Sequence, residues 1–545
     1  MNENGGLDRA WVPSATSAKL MRRSALAGAM LLAGAVLSVT GASAAPEQNV
    51  EKLTFALSAP IRSLDFYHSF DSTTATVLSN GLEGLLRYSN DGRLVPALAE
   101  SWSRPDPVTY VYNLRRGVKF WDGRAVTTAD VVFSMSQHMQ KKVASELLSY
   151  YASVKSIKAT GPSRVTIKLK APDPFFQYVP AFQAGYIIQK TFAQKAGKKI
   201  GTPGVLTMGT GPYKFTKFVS DEGVTLDRND AYWGKKGAIK SVELKFITED
   251  ATRLLAMRSG EIDGAFGVPA DQSDQWERIN GVKVVFTPQL RTAFFTFDME
   301  AAPWSDVHVR RAFAHAIDKT GLVKTVLRGH GEVANTLVPP QQWGGLLPQS
   351  KVRKFYGTLP KYPFDLAKAR AELARSSVPN GFSATVVYPD SRKPIGQAAL
   401  NLSQNLKQIG ITLNVREATT ADWINTIYAH KDLGIQVLTF GADYPDAGNF
   451  PSLTLDSKYA VANAFNLANY KNGTVDRLLA KQAASNKPAV RAKQLQQILK
   501  VSANAVPYLP VWWQDIGLAI KRKFVYTGFS TWYYTQPWLT YIRAA

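Results

Sequence analysis

The histidines are His68, His138, His308, His315, His330 and His430. None falls in H-E-x-x-H or another close metal-ligating spacing. His308 and His315 stand seven apart on a predicted helix, where a surface or packed imidazole is the expected role. No G-x-S-x-G elbow and no G-x-x-x-x-G-K-[ST] loop occurs. Gly209-Thr210-Gly211-Pro212-Tyr213 has the glycine pattern of a phosphate loop, but Pro212 removes a backbone donor that a phosphate would need. A tight turn into the strand Tyr213-Lys214-Phe215 is the better reading. Carboxylates are common, yet no spacing singles out a pair for acid–base work. Asp65, Asp71 and Asp122 read as turn or loop residues. The chain has no cysteine, which removes disulfides, thiolate metal sites and thiol nucleophiles. No catalytic residue, metal site or cofactor is expected, and the chain does not read as an enzyme.

The aromatic residues are more informative. There are 12 tryptophans and 22 tyrosines. Trp423, Phe440, Tyr444, Trp512, Trp513, Trp532, Tyr533, Tyr534 and Trp538 crowd the C-terminal third. Such side chains can line a cleft with broad, stiff contact area. They also pack lobes together, and for any single one that role is the commoner.

The elements that must position these residues are two or three lobes, because 545 residues exceed one small module. Apolar residues make up 45% and charged residues 20%, a globular mixture that excludes disorder and collagen-like repeats. The net charge is +23, but the basic residues are scattered, with only short groups such as Lys521-Arg522-Lys523. No nucleic-acid-binding pattern accompanies them, so no nucleic-acid partner is expected. A positive cleft that favours carboxylate- or phosphate-bearing solutes is a second, weaker expectation.

Arg22-Arg23 precede an apolar run from Ala25 to Val39, then Ala42-Ser43-Ala44 forms a small-residue cleavage site. This is the pattern of a signal peptide, residues 1–44. The run is short of the roughly 20 residues of a membrane span. The adjacent arginines raise the twin-arginine route beside the Sec route. Either Met1 or Met21 could start the chain. Removing residues 1–44 leaves a charge of +21. An exported, periplasmic protein is expected, and the lack of cysteine argues against a lipoprotein.

Beyond this segment, strands and helices alternate. Leu53–Leu57 suits a buried strand. Val165, Ile167 and Leu169, and then Val242, Leu244 and Phe246, recur at every second position and mark half-buried strands. Thr127-Thr128-Ala129-Asp130 reads as a capping box opening a helix whose face carries Val132, Met135 and Met139. Further helices are expected over Asp250–Ser259, closed by Gly260, over Val307–Lys319, and over Gln397–Ile409, closed by Gly410. With Ala384–Tyr388 before it and Ile411–Val415 after it, the last makes a parallel strand–helix–strand unit. No repeat and no flexible linker divides the chain, so lobes must be joined by ordered crossings. Thr287–Arg291 and Val506–Pro510 are the candidate crossings. An early and a late crossing together imply a first lobe completed by the C-terminus.

Specific stretches then make the sequence recognisable. Gly81-Leu82-Glu83-Gly84-Leu85 leads to Leu98-Ala99-Glu100-Ser101-Trp102. Tyr110–Gly123 follows, with Arg116-Gly117-Val118-Lys119-Phe120-Trp121-Asp122-Gly123 at its end, and then Thr127–Ser134. Gly209–Tyr213, Arg228-Asn229-Asp230-Ala231-Tyr232-Trp233-Gly234, Leu255–Asp263 and Val309–Lys319 come in order after it. This series closely resembles the peptide/nickel class of extracytoplasmic solute-binding proteins, the receptors of ABC importers for dipeptides, oligopeptides and related solutes. The resemblance runs through essentially the whole chain after the signal.

The resemblance implies a two-lobed α/β clam of the periplasmic-binding-protein type, type II-like, with an extra subdomain. Lobe I would be discontinuous, from 45–86, 207–290 and 511–545. The inserted subdomain would be 87–206 and lobe II 291–510. A peptide or related small solute would be held between the lobes and passed to the transmembrane subunits of an ABC permease, with the protein expected to be a monomer. Thr439-Phe440-Gly441-Ala442-Asp443-Tyr444 is similar to the segment whose aspartate takes a peptide's ammonium group in this class. That implies ligand contact for Asp443, with Phe440, Tyr444 and, more loosely, Trp423 on the cleft wall. Ala447-Gly448 stands where many members have Pro-Asp, which departs from the peptide-binding pattern. Asp443 bonded to its own turn is the bland alternative. An exported hydrolase, or a periplasmic chaperone or chemoreceptor ligand-presenter on the same fold, are the alternative functions.

Overall fold

The computed structural model describes residues 49–545, so the signal-peptide reading of residues 1–44 lies outside the described residues. Alternating apolar strands assemble a nine-stranded sheet. Its order is Ile435–Gly441, Val282–Phe297, Tyr508–Lys521, Gly264–Val268, Val50–Leu57, Ile239–Phe246, Gly223–Arg228 and Tyr213–Val219, with Gly331–Val333 added beside Tyr508–Lys521. Two strands are unusually long: Val282–Phe297 has 16 residues and Tyr508–Lys521 has 14. They run antiparallel along their whole length, so each serves both ends of the sheet. Their ladder breaks in the middle. Pro288 faces Asp515 and the next aligned pair is Thr292 with Trp513, four residues on against two. Proline has no N–H to give, so the break falls where the chain cannot donate.

On one side of the break a core of Leu53, Phe55, Tyr213, Leu226, Leu244 and Leu518 is closed by the tail of the chain. Trp538 is fully buried there, its ring centroid 4.9 Å from Phe55 and 4.9 Å from Phe266, and its indole N–H donates to the Thr76 carbonyl at 2.8 Å. On the other side Phe295, Phe297, Phe313, Leu402, Val437 and Trp512 form a second core. Helices Val307–Ala316 and Lys393–Lys407 supply much of it. A separate four-stranded sheet, Ala99–Asp106, Thr109–Leu114, Arg164–Leu169 and Val154–Gly161, carries Tyr110, Tyr112, Val165 and Ile167 into a third core. That third core continues without interruption into Trp343, Tyr356, Phe450 and Leu495.

Local signals read from the sequence hold in most places. Thr127 and Asp130 form a reciprocal capping box, and Asp250–Ser259 ends at Gly260 with φ 85°. The strands Ser383–Pro389 and Thr412–Ala418 pair in parallel around Lys393–Lys407. Three details differ. The buried face after Thr127 is Val131, Ser134 and Met135, not Val132. The helix from Val307 stops at Ala316, because Asp318 accepts from the Gly321 N–H and caps a new helix, Lys319–Thr325. The helix expected from Gln397 starts four residues earlier, since Pro394 lacks a donor only where the first turn needs none.

Replacing Trp538 by Ala removes the ring that closes the first core and should cost about 3–5 kcal/mol. Urea unfolding of the two proteins checks this, and an unchanged midpoint would contradict the packing role.

Candidate functional site

The strand Ile435–Gly441 is buried from Ile435 to Thr439 and emerges at Phe440 and Gly441. It pairs with the crossing strand so that Gly441 lies opposite Arg291 and Phe440 opposite Thr292. The loop after it is held at its root by the Ala442 N–H on the Leu290 carbonyl, 2.8 Å. Asp443 therefore leaves the sheet beside the broken ladder, at the C-terminal end of a strand. Arg392 does the same after Ser383–Pro389. Chain segments just beyond strand ends are where open α/β sheets place ligands.

Asp443 is walled by protein but keeps an accessible face. Burial pushes its carboxyl up to about 6, against hydrogen bonds from Tyr150 and Asn449 that favour the ionised form. Its backbone N–H donates to Asn449 Oδ1 at 3.2 Å. Its carboxylate thus takes one bond from its own loop, through Asn449, and one from Tyr150. Tyr150 comes from the short helix Leu148–Tyr151, and Tyr88 and Tyr534 also feel the charge of Asp443.

The next acid along the loop is built differently. Asp446 is fully buried and accepts from Arg491 at 2.6 and 2.8 Å in a two-pronged pair. It also accepts from the Gly448 N–H at 2.8 Å and from Tyr178 Oη at 3.2 Å. Tyr178 belongs to the segment 87–206, so this acid ties that segment to the loop that carries Asp443. A cavity of about 280 Å³ borders the tie, lined among others by Trp102, Arg104, Tyr178, Leu346 and Arg491.

The aromatic candidates separate. Tyr444 is buried at 6% exposure, its ring 5.8 Å from Phe175 and Tyr178 and 5.7 Å from Phe182. It joins the loop to the stretch Phe175–Phe182. Phe440 is half-buried and edge-on to Phe294 and Phe465 at 5.7 and 5.6 Å. Trp423 is 4% exposed, with its indole N–H buried and unpaired. Asp443, Tyr444 and Phe440 thus share one strand end, while Trp423 lies within the core behind it.

Sequence reasoning missed two cations. Arg392 donates to the Thr439 carbonyl at 2.8 Å and has no carboxylate partner among the described residues. Burial lowers it to about 10, and the charge of Arg291 pushes in the same direction. Arg291 is half-exposed, its side chain has no hydrogen-bond or ion-pair partner among the described residues, and burial lowers its pKa too. Arg291 stood in the sequence only as part of a lobe boundary. The signal that could have found it is a basic residue next to a proline-broken crossing. Among the described residues no group of three or more His, Asp or Glu could hold a metal ion, and no helix is long and apolar enough to cross a membrane.

Changing Asp446 to Asn strands the Arg491 guanidinium in a dry site and should cost about 3–5 kcal/mol of stability. Thermal unfolding of the variant against the parent measures it, and a loss below about 1 kcal/mol would show the pair to be incidental.

These features can be set beside known proteins. The glutathione-binding protein GsiB of Escherichia coli (strain K12) is 25% identical over 481 residues, which cover 87% of this chain and 91% of GsiB. The periplasmic binding protein DppA from Helicobacter pylori, solved with the peptide STSA, superposes with a TM-score of 0.75 at 23% identity, covering 91% of this chain and 98% of DppA. The substrate-binding protein CtaP from Listeria monocytogenes gives a TM-score of 0.80 at 21% identity, with 91% and 100% covered. The fold is thus the two-lobed α/β clam of periplasmic binding proteins. The family model "Bacterial extracellular solute-binding proteins, family 5 Middle" matches residues 93–460, which include the inserted sheet, Arg291, Arg392 and the Asp443 loop. With the ordered landmarks, the crossing strands and this match in agreement, the chain belongs to the bacterial extracellular solute-binding proteins of family 5.

Proposed function

We propose that this protein captures a small zwitterionic solute, a peptide or a close chemical relative, between its lobes and delivers it to the membrane subunits of an ABC importer. The observation that carries the reading is one exposed strand end bearing Asp443, a carboxylate with only a phenol and an amide for partners, on the strand whose Thr439 carbonyl takes the uncompensated Arg392. A carboxylate facing an ammonium, and a guanidinium facing a carboxylate, are charge-assisted pairs. Family membership supports the role of receptor, and the names of relatives that bind glutathione or peptides support the solute class.

Capture in this reading is a change of population, not of covalent bonds. A solute that touches both lobes favours the closed arrangement, and the proline-broken ladder at Pro288–Thr292 is the place for the bend. The lobe limits given above, with the inserted subdomain at 87–206, form part of the proposal. So do export to the periplasm without a lipid anchor and action as a monomer. Phe440 and Tyr444 frame the Asp443 carboxylate, and Trp423 supports them from behind. The solute leaves chemically unchanged. Native mass spectrometry of protein purified without refolding should weigh a bound zwitterion, and the same mass should return after release. A guest converted during incubation would overturn the receptor reading.

The raised carboxyl of Asp443 gives a signed pH dependence. Its ionised form is lost as pH falls through about 6. A dipeptide's amino group, near pKa 8, and its carboxyl, near 3.5, hold their charge over the interval from pH 7 to 5. Affinity for L-alanyl-L-alanine should therefore weaken over that interval. Asp443→Asn should weaken it roughly ten- to a hundredfold at pH 7 and flatten the dependence. Calorimetry at both pH values decides, and equal affinities in parent and variant would contradict the assignment.

A further inference from the structure

The charges at the strand end do not balance. Asp443 supplies one negative charge, while Arg291 and Arg392 supply two positive ones. Neither arginine is paired with Asp443 or with any other carboxylate of the described residues. The near acid Asp446 is fully committed to Arg491. Arg291 and Arg392 converge on the same strand: Arg291 stands opposite Gly441 in the ladder, and Arg392 bonds the carbonyl of Thr439, two residues before it. The phenols Tyr533 and Tyr534 of the C-terminal tail also act on Arg291 through space. Phenols can donate or accept but bring no compensating charge at neutral pH.

A guanidinium held among protein atoms without an acid is costly, and two that repel each other are more so. An anion between them relieves both terms. Arginine's planar fork suits a carboxylate in particular. We propose that Arg291, together with Arg392, forms a subsite for a second acidic group of the solute, so that the cleft prefers an amine bearing two carboxylates over one bearing a single carboxylate. This rests on the zwitterion reading above and deepens it: one ammonium on Asp443, two carboxylates on the arginines, net solute charge −1. Arg291 is then the specificity-determining residue, while Arg392 serves solutes of either kind.

Three probes test it: L-alanyl-L-alanine, L-glutamyl-L-alanine and L-alanyl-L-glutamate. Calorimetry at low salt is run on the full mature chain, on Arg291→Met and on Arg291→Lys. The parent should bind at least one glutamyl probe about tenfold or more tighter than L-alanyl-L-alanine. Arg291→Met should erase that preference and leave L-alanyl-L-alanine within a few-fold, while Arg291→Lys should keep part of it. The melting temperature of Arg291→Met without probe should not fall, because an uncompensated charge is removed. A parent without preference, or a preference that survives in Arg291→Met, overturns the subsite and leaves the zwitterion reading intact. A clear drop in melting temperature with an unchanged preference assigns Arg291 a structural role and likewise overturns it. Failure of the parent to bind any of the three overturns the zwitterion reading itself.

Discussion

Two antiparallel strands, Val282–Phe297 and Tyr508–Lys521, carry the rest of the molecule. Seven aligned pairs run from Val282 to Pro288 and five from Thr292 to Thr296, the second set with a further shift of register between Ala293 and Phe294. Between the two ladders the rungs are missing. In the closure proposed above, this unpaired stretch is the place for the bend. The candidate strand end hangs on this arrangement directly, because Arg291 is the last residue of the gap and Gly441 faces it.

The loop beyond Gly441 shows how neighbouring acids divide their work through their surroundings. Asp446 has a bidentate cation, a backbone donor and a phenol, and it is dry. Such a group has nothing left to offer a solute; it fixes the loop against Tyr178 and Arg491. Asp443, three residues earlier, has only a phenol and an amide, and keeps a face toward solvent. The first acid's full complement of partners is what allows the second to be left incomplete without the loop losing its shape. This separation of a positioning pair from an open group is the usual economy of a preorganised site.

Much of the fold was legible because it rests on local rules. The capping box at Thr127, the left-handed Gly260 and the parallel unit around Lys393–Lys407 follow from residue type and spacing. Asp443 was singled out through its motif, and the structure sets it at a strand end. What stayed hidden depends on partners distant in sequence. Asp446 reads as one more turn acid until Arg491, 45 residues away, and Tyr178, 268 residues away, are brought to it. Arg291 and Arg392 are ordinary basic residues among 65 until the sheet register sets them on one strand and shows that no acid joins them. Tyr444 drew attention as a wall for solute, and its ring packs on Phe175, Tyr178 and Phe182. Side-chain type cannot distinguish these fates; only the neighbour that fills the space can.

The contact between Phe55 and Trp538 has a consequence for how the chain comes to be folded. A polypeptide is made from its amino end, and the ring that seals the oldest apolar strand is among the last to be made. Until then that face of Phe55 lacks its cover, and loop closure across more than four hundred residues must precede this last burial. Half-made chains are consequently sticky and unfinished, so holding factors that shield nascent apolar strands have a long interval in which to act.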